Sequence, residues 1–350
     1  MSMLEDTLYQ IEPLNREVMA EVRKHLDQLT KPTGSLGVLE DIVAQLGGIT
    51  GQAFPDVSKK AVVVMAADHG VAIEGVSAYP QEVTAQMVQN FIRGGAAINV
   101  LARHTGATVV VVDVGVVGPV GSPQVRDCKI RPGTANIARG PAMSREEALR
   151  ALEVGIELAS ELSDQGYQLL ATGEMGIGNT TPSSALTAVF LGISPAEVTG
   201  RGTGLSNAGL ASKTAVIRRT LEVNRPDPGD PLGTLASVGG LEIAALAGLI
   251  LGAAAHRIPV VIDGFITTAA ALVAARLKLQ ALDYVLASHC SAENAHRRLL
   301  DHLKLRPMID LDMRLGEGTG AVLAFPLIEA ATRLLREMAT FETAGISNRS

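Results

Sequence analysis

The spacing of hydrophobic and polar positions changes near residue 55. Before that point, apolar side chains recur every three or four residues, which is typical of amphipathic helices. They are Ile11, Leu14, Val18, Val22, Leu26 and Leu29. The motif KPTGSLG at residues 31–37 interrupts the pattern, and a second helical pattern continues to Thr50. We therefore predict helices over residues 4–48, with one interruption.

Short apolar runs alternate with Ala-rich helical patterns in the middle of the chain. The runs are AVVVMAA (61–67), ATVVVVDVGV (107–116), YQLLATG (167–173), IPVVIDG (258–264) and DYVLASH (283–289). Continuous apolar runs are typical of strands buried on both faces of a sheet. Their alternation with helices predicts an α/β fold with a doubly wound, mostly parallel, Rossmann-like sheet.

Helical patterns at both ends of the chain predict a second, smaller domain. From Phe325 the sequence FPLIEAATRLLREMATF again has helical spacing. A chain of 350 residues also exceeds the size at which one core stops growing. We predict a small helical domain from residues 1–55 and 325–350, and a large α/β catalytic domain from residues 56–324.

Composition and charge exclude several classes of protein. Hydrophobic residues make up 47% of the chain, which suits a packed interior. The net charge of −6, with no run of Lys or Arg longer than a pair, argues against nucleic-acid binding. The longest apolar run, residues 243–255, is too short to cross a bilayer, and the first residues lack a signal-peptide pattern. Cys128 and Cys290 stand far apart, which indicates a reducing compartment. We predict a cytoplasmic protein with no membrane or nucleic-acid partner.

Polar segments containing glycine or serine follow the predicted strands. They are ADHGV (67–71), DVGV (113–116), GEMGIGNTTPSS (173–184), DGF (263–265), SHCSAE (288–293) and LGEGTG (315–320). In open α/β sheets, ligands bind outside the carboxyl ends of the strands. We expect these segments to gather at one edge and form a ligand site.

The segment EMGIGNTTPSSAL, residues 174–186, is the best candidate for an anion site. Gly176 and Gly178 free the backbone, Thr180 or Thr181 can cap a helix, and Pro182 suits its first turn. Exposed N–H groups at a helix N-terminus attract phosphate. A capped helix without a ligand is the alternative interpretation.

Other nucleotide-binding motifs are incomplete. A dinucleotide fingerprint would need glycine where Thr181 stands, which argues against a hydride-transferring enzyme. In GRGTGLSNAGLASKT, Lys213 lies three residues too late for a P-loop, although it could still supply charge to a phosphate. A solvated helix lysine is the alternative. The run VVVVDVGVVG lacks the paired acids of a phosphoribosyl-pyrophosphate loop, so Asp113 is a cap or a ribose acceptor.

Three carboxylates, Glu174, Asp263 and Glu317, stand at predicted strand ends beside the anion segment. Acid repels phosphate, so at least one should face a cationic or proton-bearing part of a substrate. Glu317 lies among glycines in DMRLGEGTGA, which predicts either an ordinary tight turn or a charge held where backbone must approach closely. His69 and His289 lack metal-ligand spacing, so we interpret them as structural and predict no metal site.

Several of these motifs resemble one enzyme family. They are KPTGSLG, ADHGV, VSAYPQEVTAQMV, DVGV, RPGTANIARGPAM, GEMGIGNTTPSSAL, GRGTGLSNAGLASK, VIDGFI, SHCSAE and MRLGEGTGA. Together they are similar to the nicotinate-nucleotide–dimethylbenzimidazole phosphoribosyltransferases, which act in assembling the lower ligand of cobalamin. The resemblance runs from about Lys31 to Glu337. It implies transfer of phosphoribose from nicotinate mononucleotide to 5,6-dimethylbenzimidazole, by a homodimer that needs no metal or cofactor.

The resemblance also implies roles for individual residues. Glu317 would be the catalytic base and Glu174 a second catalytic candidate, with Glu174 and Asp263 binding ribose hydroxyls or orienting the cation. The substrate-binding candidates are Gly176, Ile177, Gly178, Asn179, Thr180 and Lys213 for phosphoribose, and Tyr79, Gln86, Met87 and Leu315 for the base. A nucleotide-binding sensor without catalysis is the alternative, which the intact Glu317 argues against.

Overall fold

The computed structural model describes residues 2–347. In this range, six strands are found: β1 (Lys60–Ala67), β2 (Thr108–Gly115), β3 (Val125–Asp127), β4 (Leu169–Met175), β5 (Val260–Ile262) and β6 (Val285–Ala287). The helices are α1 (Met3–Gln10), α2 (Arg16–Gln28), α3 (Val38–Thr50), α4 (Val83–Arg93), α5 (Ala97–Thr105), α6 (Arg145–Asp164), α7 (Thr180–Leu191), α8 (Pro195–Val198), α9 (Asn207–Asn224), α10 (Pro231–Val238), α11 (Leu241–Ala255), α12 (Phe265–Leu277), α13 (Asn294–Leu303), α14 (Thr319–Glu337) and α15 (Phe341–Ala344).

The strands form one sheet in the order β3-β2-β1-β4-β5-β6. Every neighbouring pair is parallel. The predicted α/β fold and all five predicted strands are therefore confirmed. Strand β3 was not predicted, because only Val125 of its three residues is buried, whereas β5 and β6 have the same length but are buried throughout. The strand order reverses between β1 and β4, and a crevice at such a switch point is where ligands bind.

Helices cover both faces of the sheet. Along β1, Val63 and Met65 belong to one hydrophobic cluster with α6 and α11, while Val62 and Val64 belong to another with α3 and α14. Helices α6 and α11 lie so close that a side chain at Gly155 would collide with the backbone of α11. The many small residues of the chain thus permit close helix packing.

Helices from the two ends of the chain contact each other. Helix α3 contacts both α2 and α14, and Leu29 forms an isolated bridge with Thr340. Helix α14 begins at Thr319, so the predicted boundary at residue 325 falls inside a helix. The division into two domains stays a prediction, and residues 1 and 348–350 lie outside the described residues. Among residues 2–347, no helix combines the length and the apolar character needed to cross a membrane.

Candidate active site

A cavity of about 390 Å³ lies at the carboxyl edge of the sheet. Its volume is within the range of small-molecule sites. Ten of the predicted site residues line it: Tyr79, Met87, Glu174, Gly176, Ile177, Gly178, Asn179, Thr180, Leu315 and Glu317. Three others, Gln86, Lys213 and Asp263, do not. The structure therefore brings most of the predicted residues to one place.

The loop that carries Glu317 has an unusual backbone. Gly316, Glu317 and Gly318 have φ angles of 89°, 63° and 90°, so three consecutive residues are left-handed. A non-glycine residue in this region is uncommon, and glycine on each side lowers the cost. The loop also lies against β4, since a Cβ at Gly173 would be 2.5 Å from the Glu317 carbonyl oxygen. The close backbone approach predicted here is made to the protein's own strand.

Asp263 holds this loop in place through hydrogen bonds to its backbone. Its Oδ1 accepts hydrogen bonds from the N–H groups of Gly320 (2.7 Å) and Ala321 (3.0 Å), and its Oδ2 accepts one from Gly318 (3.2 Å). Burial raises the pKa of Asp263 to about 7, and these N–H donors oppose the rise. This position assigns Asp263 to the first turn of α14 and to the Glu317 loop, rather than to the cavity wall.

The Glu317 carboxyl group is held by one oxygen only. Its Oε2 accepts a hydrogen bond of 3.3 Å from the N–H of Ile98 in the first turn of α5. No partner for Oε1 is found among residues 2–347, and the side chain faces the cavity. Burial raises the Glu317 pKa, while the Ile98 N–H lowers it. One oxygen is thus anchored and the other is free to accept a proton from a ligand.

Glu174 has a different environment in the same cavity. Its Oε2 accepts a hydrogen bond from the side-chain amide of Asn179. Burial is the main reason that its pKa rises to about 8, and the nearby acids Asp263, Glu242 and Glu317 add to the rise. Glu174 is therefore mostly protonated near pH 7 and can donate a hydrogen bond. A neutral acid also removes the repulsion expected between a carboxylate and phosphate.

The anion segment forms the predicted loop and helix start. Gly178 has a φ of 93°, and a Cβ at Gly176 would collide with the Ala67 carbonyl oxygen. Both positions therefore require glycine. Within the described residues, the N–H groups of Gly178 and Thr180 have no hydrogen-bond partner, and they lie at the N-terminus of α7. Such a helix start binds anions.

Lys213 lies behind this helix start rather than in solvent. The residue is fully buried, and its Nζ donates hydrogen bonds to Thr180 Oγ1 (2.7 Å) and to the Gly200 carbonyl (3.2 Å). Burial lowers its pKa to about 8, and the acid Glu293 opposes that change. Because Thr180 Oγ1 accepts from Lys213, its own hydroxyl hydrogen is free to bind an anion in the cavity.

Another part of the wall of the 390 Å³ cavity is more apolar. Tyr79, Val83 and Met87 line it, which suits a flat aromatic ring. Thr203 Oγ1 accepts a hydrogen bond from the Ala78 N–H (2.9 Å) and so fixes the segment that carries Tyr79. The Gln86 side chain is exposed and does not reach the cavity.

The two histidines are buried and hydrogen-bonded, as predicted. His69 Nε2 lies 2.6 Å from Glu242 Oε1. His289 lines the cavity, its Nδ1 lies 2.9 Å from Ser288 Oγ, and burial lowers its pKa, so it is neutral near pH 7. In the part of the chain that the structure describes, no group of three or more His, Cys, Asp or Glu side chains could hold a metal ion.

Some of the residues that line the cavity were not predicted from the sequence. They include Gly202, Thr203, Ser291, Glu293 and Arg314. Gly202 and Thr203 belong to GRGTGLSNAGLASKT, in which only Lys213 was predicted to bind substrate, and Ser291 and Glu293 belong to SHCSAE, a polar segment after a predicted strand. For Ser291 and Glu293 the available signal was the position of their segment at a strand end, whereas Gly202 and Thr203 lie between α8 and α9.

A second, larger cavity of about 1080 Å³ lies between α2, α3, α12 and α13. Several basic side chains surround its apolar floor, including Arg16, Arg276 and Arg306. It contains none of the predicted site residues, and it lacks the paired acids and glycine-rich loops of the smaller cavity. Chemistry therefore identifies the smaller cavity as the candidate active site.

Comparisons with known proteins agree with this geometry. A phosphoribosyltransferase family model matches residues 11–346. A nicotinate-nucleotide–dimethylbenzimidazole phosphoribosyltransferase from Chloroflexus aggregans is 57% identical and aligns over 100% of this chain and 99% of its own. One of the same name from Geobacter sulfurreducens is 56% identical and aligns over 99% of each chain. The crystal structure of CobT from Thermus thermophilus is 52% identical, with a TM-score of 0.92 over 95% of this chain and 100% of that one.

The family model spans more than half of the chain, and the identities extend over nearly its full length. All of the residues that line the cavity, from Val76 to Glu317, lie within the matched residues 11–346. The chain belongs to the family of nicotinate-nucleotide–dimethylbenzimidazole phosphoribosyltransferases.

Proposed function

We propose that this protein transfers the phosphoribosyl group of nicotinate mononucleotide to 5,6-dimethylbenzimidazole, giving α-ribazole 5′-phosphate and nicotinate. One structural observation supports the proposal independently of family membership. A single cavity combines an anion site at the start of α7 with a carboxyl group, Glu317, that has one oxygen free. A phosphorylated sugar and a proton-bearing heterocycle need these two features.

The proposed chemistry is a displacement at C1′ of the ribose. One ring nitrogen of the benzimidazole forms a bond to C1′, and the bond from C1′ to the pyridinium nitrogen breaks. The electron pair of the broken bond neutralises the pyridinium, so nicotinate leaves without protonation. The attacking ring becomes cationic, and Glu317 accepts the proton from its second nitrogen. Attack opposite the leaving group inverts β to α.

Other residues then bind and orient the substrate. The free N–H groups of Gly178 and Thr180 and the Thr180 hydroxyl would bind the 5′-phosphate, with Lys213 supplying positive charge from behind. Glu174 in its protonated form would donate a hydrogen bond to phosphate or ribose. Tyr79 and Met87 would contact the benzimidazole face.

We also propose that the protein acts as a homodimer in the cytoplasm. Two large apolar side chains that line the cavity, Tyr79 and Leu315, are more than half exposed. A second copy of the chain could cover them, since exposed apolar patches mark interfaces. Both cysteines are free thiols, which agrees with a reducing compartment. Light scattering of the purified protein tests the dimer directly.

The reaction is tested by mixing the protein with nicotinate mononucleotide and 5,6-dimethylbenzimidazole and following free nicotinate. We expect nicotinate release that depends on both substrates, with α-ribazole 5′-phosphate formed in equal amount. Binding of both substrates without release would refute catalysis and support the sensor alternative. Release without the base would indicate a hydrolase.

A further inference from the structure

Helix α5, Ala97–Thr105, begins without a side-chain cap. Its N-cap residue is Ala96, which has no side-chain atom that can accept a hydrogen bond. Alanine is a poor N-cap, because the first N–H groups of a helix need partners from outside the helix. The N-cap residues of α2 and α6, by contrast, are Asn15 and Ser144, whose side-chain oxygens accept these hydrogen bonds.

The missing cap is supplied from elsewhere in the fold. Ile98 is the second residue of α5, and its N–H is one of the groups that an N-cap side chain would bind. Glu317 Oε2 accepts this hydrogen bond, across a separation of 219 residues in the chain. Both Ile98 and Glu317 are buried, so water cannot easily replace either partner.

We propose that the N-terminus of α5 is a positioning element for Glu317, and that Glu317 in turn serves as the N-cap of α5. The helix holds Oε2, aims Oε1 into the cavity, and stabilises the ionised carboxylate through its N–H group and macrodipole. Ala96 leaves the site free, because a polar side chain there would compete for the same N–H groups. The catalytic half of this inference rests on the proposed function, whereas the capping half does not.

Four other acidic or basic side chains line the cavity with Glu317: Glu174 on β4, His289 after β6, Arg314 in the preceding loop and, near Lys213, Glu293. Asp263, after β5, does not line the cavity but accepts hydrogen bonds from the Glu317 loop. Both oxygens of Asp263 accept from the loop backbone, while Glu174 and His289 are mostly neutral near pH 7. Arg314 is exposed, and residues 94–99 contain no titratable side chain. The Ile98 N–H is therefore the hydrogen bond to test.

The first test is Ala96→Ser, which adds a side-chain cap to α5. The new hydroxyl competes with Glu317, so the Glu317 pKa rises and Glu317 is protonated at higher pH. We expect the acid limb of the kcat profile to move to higher pH and kcat at pH 7 to fall several-fold, without a loss of Tm. Val100→Ser, on the exposed side of α5, is the matched control and should leave the profile unchanged. An unchanged profile in Ala96→Ser would overturn the positioning role.

A second pair of variants removes the donor itself. Ile98→Pro deletes an N–H in the first turn of α5, where the N–H groups make no hydrogen bond within the helix, and Ile98→Val retains it with a similar core side chain. We expect the acid limb to shift in Ile98→Pro and to stay in place in Ile98→Val. Equal profiles in the two variants would contradict the inference.

A thermal cycle tests the capping role without any assay of activity. Glu317→Ala should lower the Tm of the otherwise unchanged protein, because α5 loses its cap. In the Ala96→Ser background, the same change should lower the Tm less, since the introduced hydroxyl then caps the helix. An equal loss of Tm in both backgrounds would overturn the capping role. The Tm can be measured even if the protein has no transferase activity. Failure of the capping role can therefore be told apart from failure of the proposed function.

Discussion

Asp263 offers a sharp test of how the fold holds Glu317, through the variant Asp263→Asn. The carboxylate accepts three backbone hydrogen bonds from residues 318–321 and is almost fully buried. An asparagine keeps one acceptor oxygen and turns its NH₂ group towards an N–H donor. At least one buried donor then loses its partner, at ~1–3 kcal/mol for each donor. We expect a loss of ~2–4 kcal/mol in unfolding free energy and, for a chain of 350 residues, a Tm lower by roughly 3–5 °C.

The same variant should reduce catalysis, although Asp263 does not line the cavity. A displacement of Glu317 by about 1 Å would lower kcat on the order of 100-fold. The KM for nicotinate mononucleotide should change little, because the anion site belongs to α7. Nicotinate release and thermal melts measure the two effects.

Asp230→Asn is the matched control, because Asp230 caps α10 through the Gly233 N–H (3.1 Å) and lies outside the cavity. Because asparagine caps a helix as well as aspartate does, the change should cost less than ~1 kcal/mol, from the exposed ion pair with Arg145, and leave kcat intact. If Asp263→Asn lost stability but kept kcat, its proposed effect on Glu317 would be refuted.

Three further variants test the remaining features of the site. The pKa of Glu174 is about 8 in the folded protein and 4.5 for an unperturbed glutamate. Between these two pH values, Glu174 therefore holds a proton in the folded protein that it releases on unfolding. Glu174 should therefore reduce stability as pH rises from about 5 to 8, by up to ~1.4 kcal/mol per pH unit. Glu174→Gln should remove this slope in thermal melts at pH 5, 7 and 8.5, and parallel curves for the two proteins would argue against a protonated Glu174. Gly316→Ala puts a Cβ at a φ of 89° and against Glu174 Oε1, so we expect a loss of ~1–2 kcal/mol and reduced kcat. Gly34→Ala, at a φ of 73° with open space around it, should lose stability alone, and equal kcat losses in both would contradict the role of the loop. Lys213→Met keeps the length of the buried side chain but removes its charge, so the KM for nicotinate mononucleotide should rise ~10-fold or more. An unchanged KM would show that Lys213 does not serve the phosphate.

The architecture could be predicted because it depends on local patterns. The five predicted strands lie in continuous apolar runs, and the strand-to-helix alternation leaves few possible topologies. Strand β3 was not predicted, because its pairing with β2 depends on tertiary position rather than on its own sequence. The start of α14 was placed too late, since Gly320 and the glycines before it resemble a loop although the helix begins at Thr319.

The candidate site could be predicted only in part. Glycines at strand ends identified the anion segment, and the structure brings Glu317 and Glu174 to the same cavity. Asp263 was predicted to contact substrate, because a sequence cannot show that backbone N–H groups already occupy its oxygens. The contact between Glu317 and Ile98 was also missed, because a backbone donor 219 residues away leaves no side-chain signal.

The most direct test of the central claim is the single-turnover rate of Glu317→Gln with both substrates saturating. Glutamine has nearly the same shape and can still accept the Ile98 hydrogen bond through its amide oxygen, so the fold and the α5 cap should persist. It cannot take a proton from the benzimidazole. We predict a rate lower by ~10²–10⁴-fold with substrate binding and Tm little changed. A rate equal to that of the unmodified protein would contradict the claim that Glu317 is the base.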